Sequence, residues 1–128
     1  MDIKAREIAQ HWLDQLSYSA ATWNLDAHMA LVSRSVKVLG LPGGKVIEFS
    51  GWKKRRNNEF RKKLLLSLSY KLINILKYEK GMLLFTVIET MKSSQGQIIV
   101  VDKAINLRCE DDGQWRVVQE RIDRIELK

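Results

Sequence analysis

Apolar residues recur at three- and four-residue spacing through Ala5, Ile8, Ala9, Trp12, Leu13, Leu16 and Ala20, which predicts one long amphipathic helix with Asp2 as its N-cap. Past Trp23 and Asn24, Asp26 is placed to cap a second, short helix through Ala27, Met29, Ala30 and Leu31. The period then changes to two. SVKVLGL alternates as a strand and ends at Pro42-Gly43-Gly44, a turn, and VIEF follows as another short strand. Ser50 is placed to open a third helix over the basic stretch that ends near Lys63. On a wheel of about 100° per residue, Trp52, Arg56, Phe60 and Leu64 of that helix share one side, so Arg56 sits among apolar residues and is expected to turn toward a pocket or a buried carboxylate.

From Leu65 onward the chain is rich in Leu, Ile, Val, Tyr and Thr, has no proline, and is cut by glycines at 81, 96 and 113. Each glycine is read as part of a three-residue hairpin loop, which makes the four long strands an antiparallel meander. Counting back from the turns pairs Tyr78 with Met82, Ser93 with Gln97 and Glu110 with Gln114. One face then carries Ile73, Ile75, Leu83, Phe85, Val87, Val101, Ile105, Leu107, Trp115 and Val117. Toward one end of it stand Lys71 opposite Glu89, Lys103 opposite Arg121, and Gln119 and Asp123 nearby. The other face carries Leu68, Tyr70, Leu72, Leu76, Leu84, Thr86, Ile88, Val100, Ala104, Val118 and Ile122. Both faces are too apolar for open water. Helices are expected to cover the first, and a second copy of the chain to cover the other around Tyr70, Leu72, Ile88, Val100 and Val118.

The order of elements is α+β, with helices gathered on one face of a curved sheet. The stretch WNLDAHMALVSRSVKVLGLPGG, the helix after it and the closing DDGQWRVVQERID resemble the nuclear-transport-factor-2-like superfamily, including its SnoaL-like members, over nearly the whole chain. The resemblance implies a single domain over residues 1–128, with three helices on a strongly curved, mainly antiparallel sheet of about six strands. It also implies a cone enclosing a pocket, and commonly a homodimer through the outer sheet face. Functions on this fold range from isomerases, dehydratases and cyclases to inert binding and assembly modules, so the site must decide.

Net charge changes the picture less than its size suggests. The formal charge is +7, yet residues 52–63 hold seven basic side chains and one acidic one, which leaves 15 basic against 14 acidic residues elsewhere. A single run on a neutral body is a poor footprint for wrapping nucleic acid, and Lys54, Arg55, Arg61 and Lys62 read as a solvated helix face. Four cations near a helix N-terminus would each cost about 0.3–1 kcal/mol, unless an anion is bound there or the helix starts later, at Asn57 or Asn58. The single Cys109 excludes an internal disulfide and fits a reducing compartment. The charged beginning and the lack of any apolar stretch near ~20 residues predict a soluble cytoplasmic protein.

Candidate chemistry gathers at the ionisable end of the Trp115 face. Arg56, Trp52, Phe85, Glu89, Lys103, Gln119 and Arg121 are the expected pocket residues. Glu89 and Asp26 are the only acids considered for catalysis, and the cations beside Glu89 would lower its pKa rather than poise it as a base. The cluster suits holding an anionic or amphipathic small molecule better than moving protons, and it also reads as an ion-pair ladder. Asp26 and His28, two apart on a helix, point to different sides, so Asp26 reads as a cap and His28 as no partner for it. Two histidines and one cysteine give no metal set, glycine-rich phosphate loops and serine elbows are absent, and no cofactor is expected. The expected function is a noncatalytic small-molecule-binding or protein-interaction module. The alternatives are a SnoaL-like isomerase, dehydratase or cyclase acting on an apolar molecule, and weak nucleic-acid binding through residues 53–63.

Overall fold

The computed structural model describes residues 3–128, so the cap expected at Asp2 lies outside the described residues. These residues form three α-helices, α1 (Ile3–Ala21), α2 (Leu25–Met29) and α3 (Phe49–Arg61), and five strands, β1 (Val32–Leu39), β2 (Leu65–Glu79), β3 (Met82–Ser93), β4 (Ile98–Cys109) and β5 (Trp115–Leu127). The strands make one sheet in the order β1-β5-β4-β3-β2. All its pairs are antiparallel except β1 with β5, which run parallel because the chain crosses the helical layer between them. The strand expected at VIEF is reduced to one bridge between Val38 and Ile47, so the sheet has five strands and not six.

The apolar stripe of α1 is the core seam: Ala5, Ala9, Trp12, Leu13, Leu16 and Ala20 are buried. They meet the inner sheet face at Leu83, Phe85, Val87, Ile105, Leu107 and Val117. Trp12 adds a directional tie, its indole N–H donating to the Leu31 carbonyl at 3.2 Å. The chain leaves α1 through Trp23, which is held at φ 50. Asn24, not Asp26, caps α2, its side-chain oxygen accepting from the Ala27 N–H at 3.1 Å. Asp26 occupies the exposed first turn.

The third helix begins at Phe49 with Glu48 as N-cap, two residues before the expected cap Ser50. Its first turn carries no cation, and the basic residues begin beyond it at Lys53. The penalty expected from the helix dipole therefore fades, since that field acts mainly within the first turn.

Strand register departs from simple counting at one hairpin and at bulges in β2 and β5. The first hairpin closes on two residues, Lys80 (φ 37) and Gly81 (φ 75), so Glu79 and not Tyr78 faces Met82. The other two hairpins close as expected, with Ser93 N–H donating to the Gln97 carbonyl at 2.9 Å and Glu110 N–H to that of Gln114 at 2.9 Å. Bulges then shift β2 at three points and β5 at two. In β2 the inward residues run Leu65, Leu68, Tyr70, Leu72, Ile75, Tyr78, and each step of three is a bulge. Tyr70 and Leu72, expected on the outer face, thus turn inward, as does Leu68, while Ile73 is exposed and Lys71 sits opposite Ile88. Such extra residues bend a strand as well as re-aiming it, and here they curl the sheet around the helices.

Gly40 marks the tightest approach. Its φ is +83, and a Cβ there would lie 2.2 Å from the Ile122 carbonyl oxygen. Only glycine lets the end of β1 close against β5 at this point. No helix is long and apolar enough to cross a membrane.

Candidate functional site

An apolar cavity of about 180 Å³ opens between α3, the segment after β1, and the free ends of β3, β4 and β5. Val38, Leu41, Ile47 and Trp52 form one wall, and Val101, Ile122 and Ile125 the other. Its floor is ionic: Arg56 from α3, Glu89 from β3, Lys103 from β4 and Glu120 from β5. All four are buried, Glu89 and Glu120 down to 1% and 2% exposure.

Lys103 is the hub. Its Nζ donates to Glu89 Oε2 at 3.0 Å and to Glu120 Oε1 at 3.0 Å. Tyr70 completes the group, its hydroxyl donating to Glu89 Oε2 at 2.5 Å. Burial would drive the Lys103 proton off, but the two carboxylates overcome that and raise its pKa above the ordinary lysine value. Burial likewise opposes the charge on Glu89. The Lys103 ammonium, the Arg56 guanidinium and the Tyr70 hydrogen bond outweigh it and hold the carboxyl below the usual range. Burial and the neighbouring Glu89 charge push the Tyr70 phenol well up, so it remains a hydrogen-bond donor. An ionised, cation-paired carboxylate and a lysine held protonated are poorly suited to accepting a substrate proton.

A second chain of polar groups runs behind this floor. Arg56 Nη1 donates to Glu59 at 2.7 Å, and its Nε donates to His28 Nε2 at 3.3 Å. Because Nε2 accepts, the His28 proton sits on Nδ1 and is directed to Ser19 Oγ at 3.0 Å, and Ser19 passes its own proton to the Leu16 carbonyl at 3.0 Å. The chain links all three helices. Burial, helped by the Arg56 charge, lowers the His28 pKa to about 3, so the ring is neutral across the ordinary pH range. Its edge rests against the Phe60 ring at 5.2 Å between centroids. Burial works against the Arg56 charge too, but Glu59 and Glu89 more than offset it.

Of the residues expected at the site, Arg56, Trp52, Glu89 and Lys103 come together there. Phe85 lies in the core at 0% exposure, four residues before Glu89 along β3 and too deep to line the cavity. Gln119 and Arg121 turn outward, because a bulge near Val118 inverts β5 as far as a second bulge at Asp123, and Arg121 pairs with exposed Asp123 at 2.7 Å. The same bulge brings in Glu120 and Ile122, which counting had placed elsewhere. Asp26 is remote from the cavity on the exposed side of α2. His28, Ser19 and Tyr70 were missed as members of the network. The one visible signal was Ser19, a polar residue three positions after Leu16 in the apolar stripe of α1, where a buried hydroxyl requires a partner.

No protein-family model matches the chain. No curated protein matches it either. Solved structures do. A nuclear-transport-factor-2-like protein of unknown function from Shewanella oneidensis aligns with a TM-score of 0.78 at 12% identity, over 93% of this chain and 98% of that one. A provisionally assigned scytalone dehydratase from Novosphingobium aromaticivorans aligns with a TM-score of 0.73 at 13% identity, over 96% of this chain and 85% of that one. A ketosteroid isomerase-like protein from Erwinia carotovora aligns with a TM-score of 0.64 at 12% identity, over 91% and 90% of the two chains. Identities this low carry the architecture and not the chemistry. With its helices and curled sheet superposing on these proteins over nearly its full length, the chain has the nuclear-transport-factor-2-like fold.

Proposed function

We propose that the protein is a noncatalytic, homodimeric module that binds an apolar small molecule in the cavity beside Trp52. The observation that carries this reading is the pairing of the floor: Glu89 and Glu120 share Lys103, Tyr70 donates to Glu89, and Arg56 is taken by Glu59 and His28. Such a floor orients and excludes water but leaves no poised acid or base. The homodimer is supported by the half-buried outer row Leu84, Ile88, Val100 and Val118 and by exposed Ile73 and Leu76, a face without a covering element among the described residues.

A second reading is a SnoaL-like isomerase, dehydratase or cyclase. It draws on the Tyr70–Glu89 contact at the cavity floor and on the names of two of the similar proteins. It requires Glu89 to exchange Lys103 for substrate during the reaction.

Titration of the ¹⁵N-labelled chain with 3-phenylpropanol tests the first reading. A volume of about 180 Å³ slightly exceeds one of roughly 150 Å³ known to take benzene, so the ring fits. Shifts confined to Trp52, Val101 and Ile122, abolished by filling the cavity with Val101→Trp, are expected. Shifts scattered over the surface, or none, would refute it.

A further inference from the structure

Resting on that pocket reading, we infer that the natural ligand is an acidic amphiphile whose apolar body fills the cavity and whose carboxylate seats on Arg55 at the rim. On the floor, Lys103 and Arg56 balance Glu89 and Glu120, and Glu59 also takes Arg56, so no cation there is spare for an anion. On the exposed side of α3 a cation is to spare. Glu59 lies 2.7 Å from Arg56 Nη1 but 3.8 Å from Arg55 Nε, so two guanidinium groups share one carboxylate and Arg55 holds it only loosely. Its side chain is 55% exposed and free to donate to a second pair of oxygens. Exposed Lys54, Arg61 and Lys62 on the same helix add to the positive field there.

The cavity itself points the same way. Arg55, Met91 and Ile99 line the apolar cavity and also a second, polar recess of about 400 Å³. That recess is bordered by Asn58, Ser93, Gln95 and Gln97, neutral groups that can hydrogen-bond a polar head, and by Glu59, whose carboxylate is drawn toward Arg56. Arg55 therefore stands where an apolar compartment passes into a polar one. Half-exposed Ile125 and Leu127 carry apolar surface out to that rim. A ligand satisfying both compartments has one greasy end and one anionic end, and the planar guanidinium matches a carboxylate oxygen for oxygen.

Titrations with 3-phenylpropanoate and 3-phenylpropanol, which share a skeleton and differ in charge, test the inference on the full-length chain at low ionic strength. The acid is expected to bind about fivefold more tightly than the alcohol, an advantage that salt reduces. Arg55→Gln is expected to abolish the advantage, so that acid and alcohol bind alike, and Arg61→Gln to preserve most of it. Equal affinities in the parent chain, or a preference that survives Arg55→Gln, would overturn the inference and leave the pocket reading standing. Failure of both compounds to bind would overturn both.

Discussion

Lys103 and Glu120 meet at 3.0 Å across β4 and β5 because β5 carries one extra residue between Val117 and Gln119. The bulge turns an acid inward beside a buried cation that also serves Glu89. Lys103→Met would leave two buried carboxylates without their shared counter-charge and should lower stability by about 3–5 kcal/mol. Adding Glu89→Gln and Glu120→Gln should recover much of that loss, whereas three independent contacts would give additive losses. Urea unfolding of the single and triple variants, with coupling read from the cycle, distinguishes the two outcomes.

His28 makes stability depend on mild acid. Its folded pKa of about 3 lies below the ordinary 6.5, so between these values the unfolded chain binds more protons than the folded one. Its contribution is complete above pH 6.5 and is lost as pH falls toward 3, at about 1.4 kcal/mol per pH unit. Urea midpoints should decline from pH 6.5 to 5, and His28→Gln should flatten that decline even if it is less stable at pH 7. An unchanged slope would remove His28 as its source.

Tyr70→Phe deletes the donor that helps keep Glu89 ionised. A hydrogen bond to a charged group contributes roughly 1.5–3 kcal/mol, and a loss in that range is expected at pH 7. The Glu89 pKa is depressed by folding, so its contribution is present above the ordinary carboxylate range and disappears as pH falls through the folded value. The variant should raise that folded value and shrink the acid-dependent part of stability, which carboxyl ¹³C titration of Glu89 would follow directly.

Gly40 and Gly43 share a positive φ but differ in surroundings. Gly43→Ala faces open space and should cost on the order of 1 kcal/mol for the backbone alone. Gly40→Ala drives a methyl into the Ile122 carbonyl and should cost on the order of 3 kcal/mol or more, with β1 parting from β5. Thermal melts of the two variants, with amide exchange in β1, provide the comparison.

If a second copy covers the outer sheet, Ile88→Glu should convert a dimer to a folded monomer in sedimentation equilibrium, since the new carboxylate is tolerated opposite Lys71 in a monomer but would have to be buried between two sheets in a dimer. A parent chain that sediments as a monomer at every concentration would dismiss the homodimer.

Much of this architecture can be read from local pattern. The stripe from Ala5 to Ala20 marks α1, the alternation of Leu83, Phe85, Val87 and Glu89 fixes the inner side of β3, and the wheel of α3 points Arg56 inward. What escapes is set by pairing between distant segments. Whether Tyr70 or Lys71 faces the core depends on bulges in β2, which only the pairing with β3 reveals. Glu120 illustrates the limit well. Aligning it with Ile105 puts a charge into an apolar row, which argues against that register until Lys103 and Glu89 are seen as its partners. Nothing local to α2 reveals that His28 reaches Ser19 and Arg56, because its partners lie nine residues before and 28 after it.

The bulge near Val118 also bears on how such a pocket could diverge. Smoothing it out with the sequence unchanged would slide the following stretch of β5 by one residue against β4 and turn it over. Glu120 and Ile122 would go out, and Arg121 and Asp123 would come in. Lys103 would then confront a guanidinium. A one-residue shift of register could thus convert an acid-lined chamber into a mixed one and change which molecules it accepts, without a single substitution.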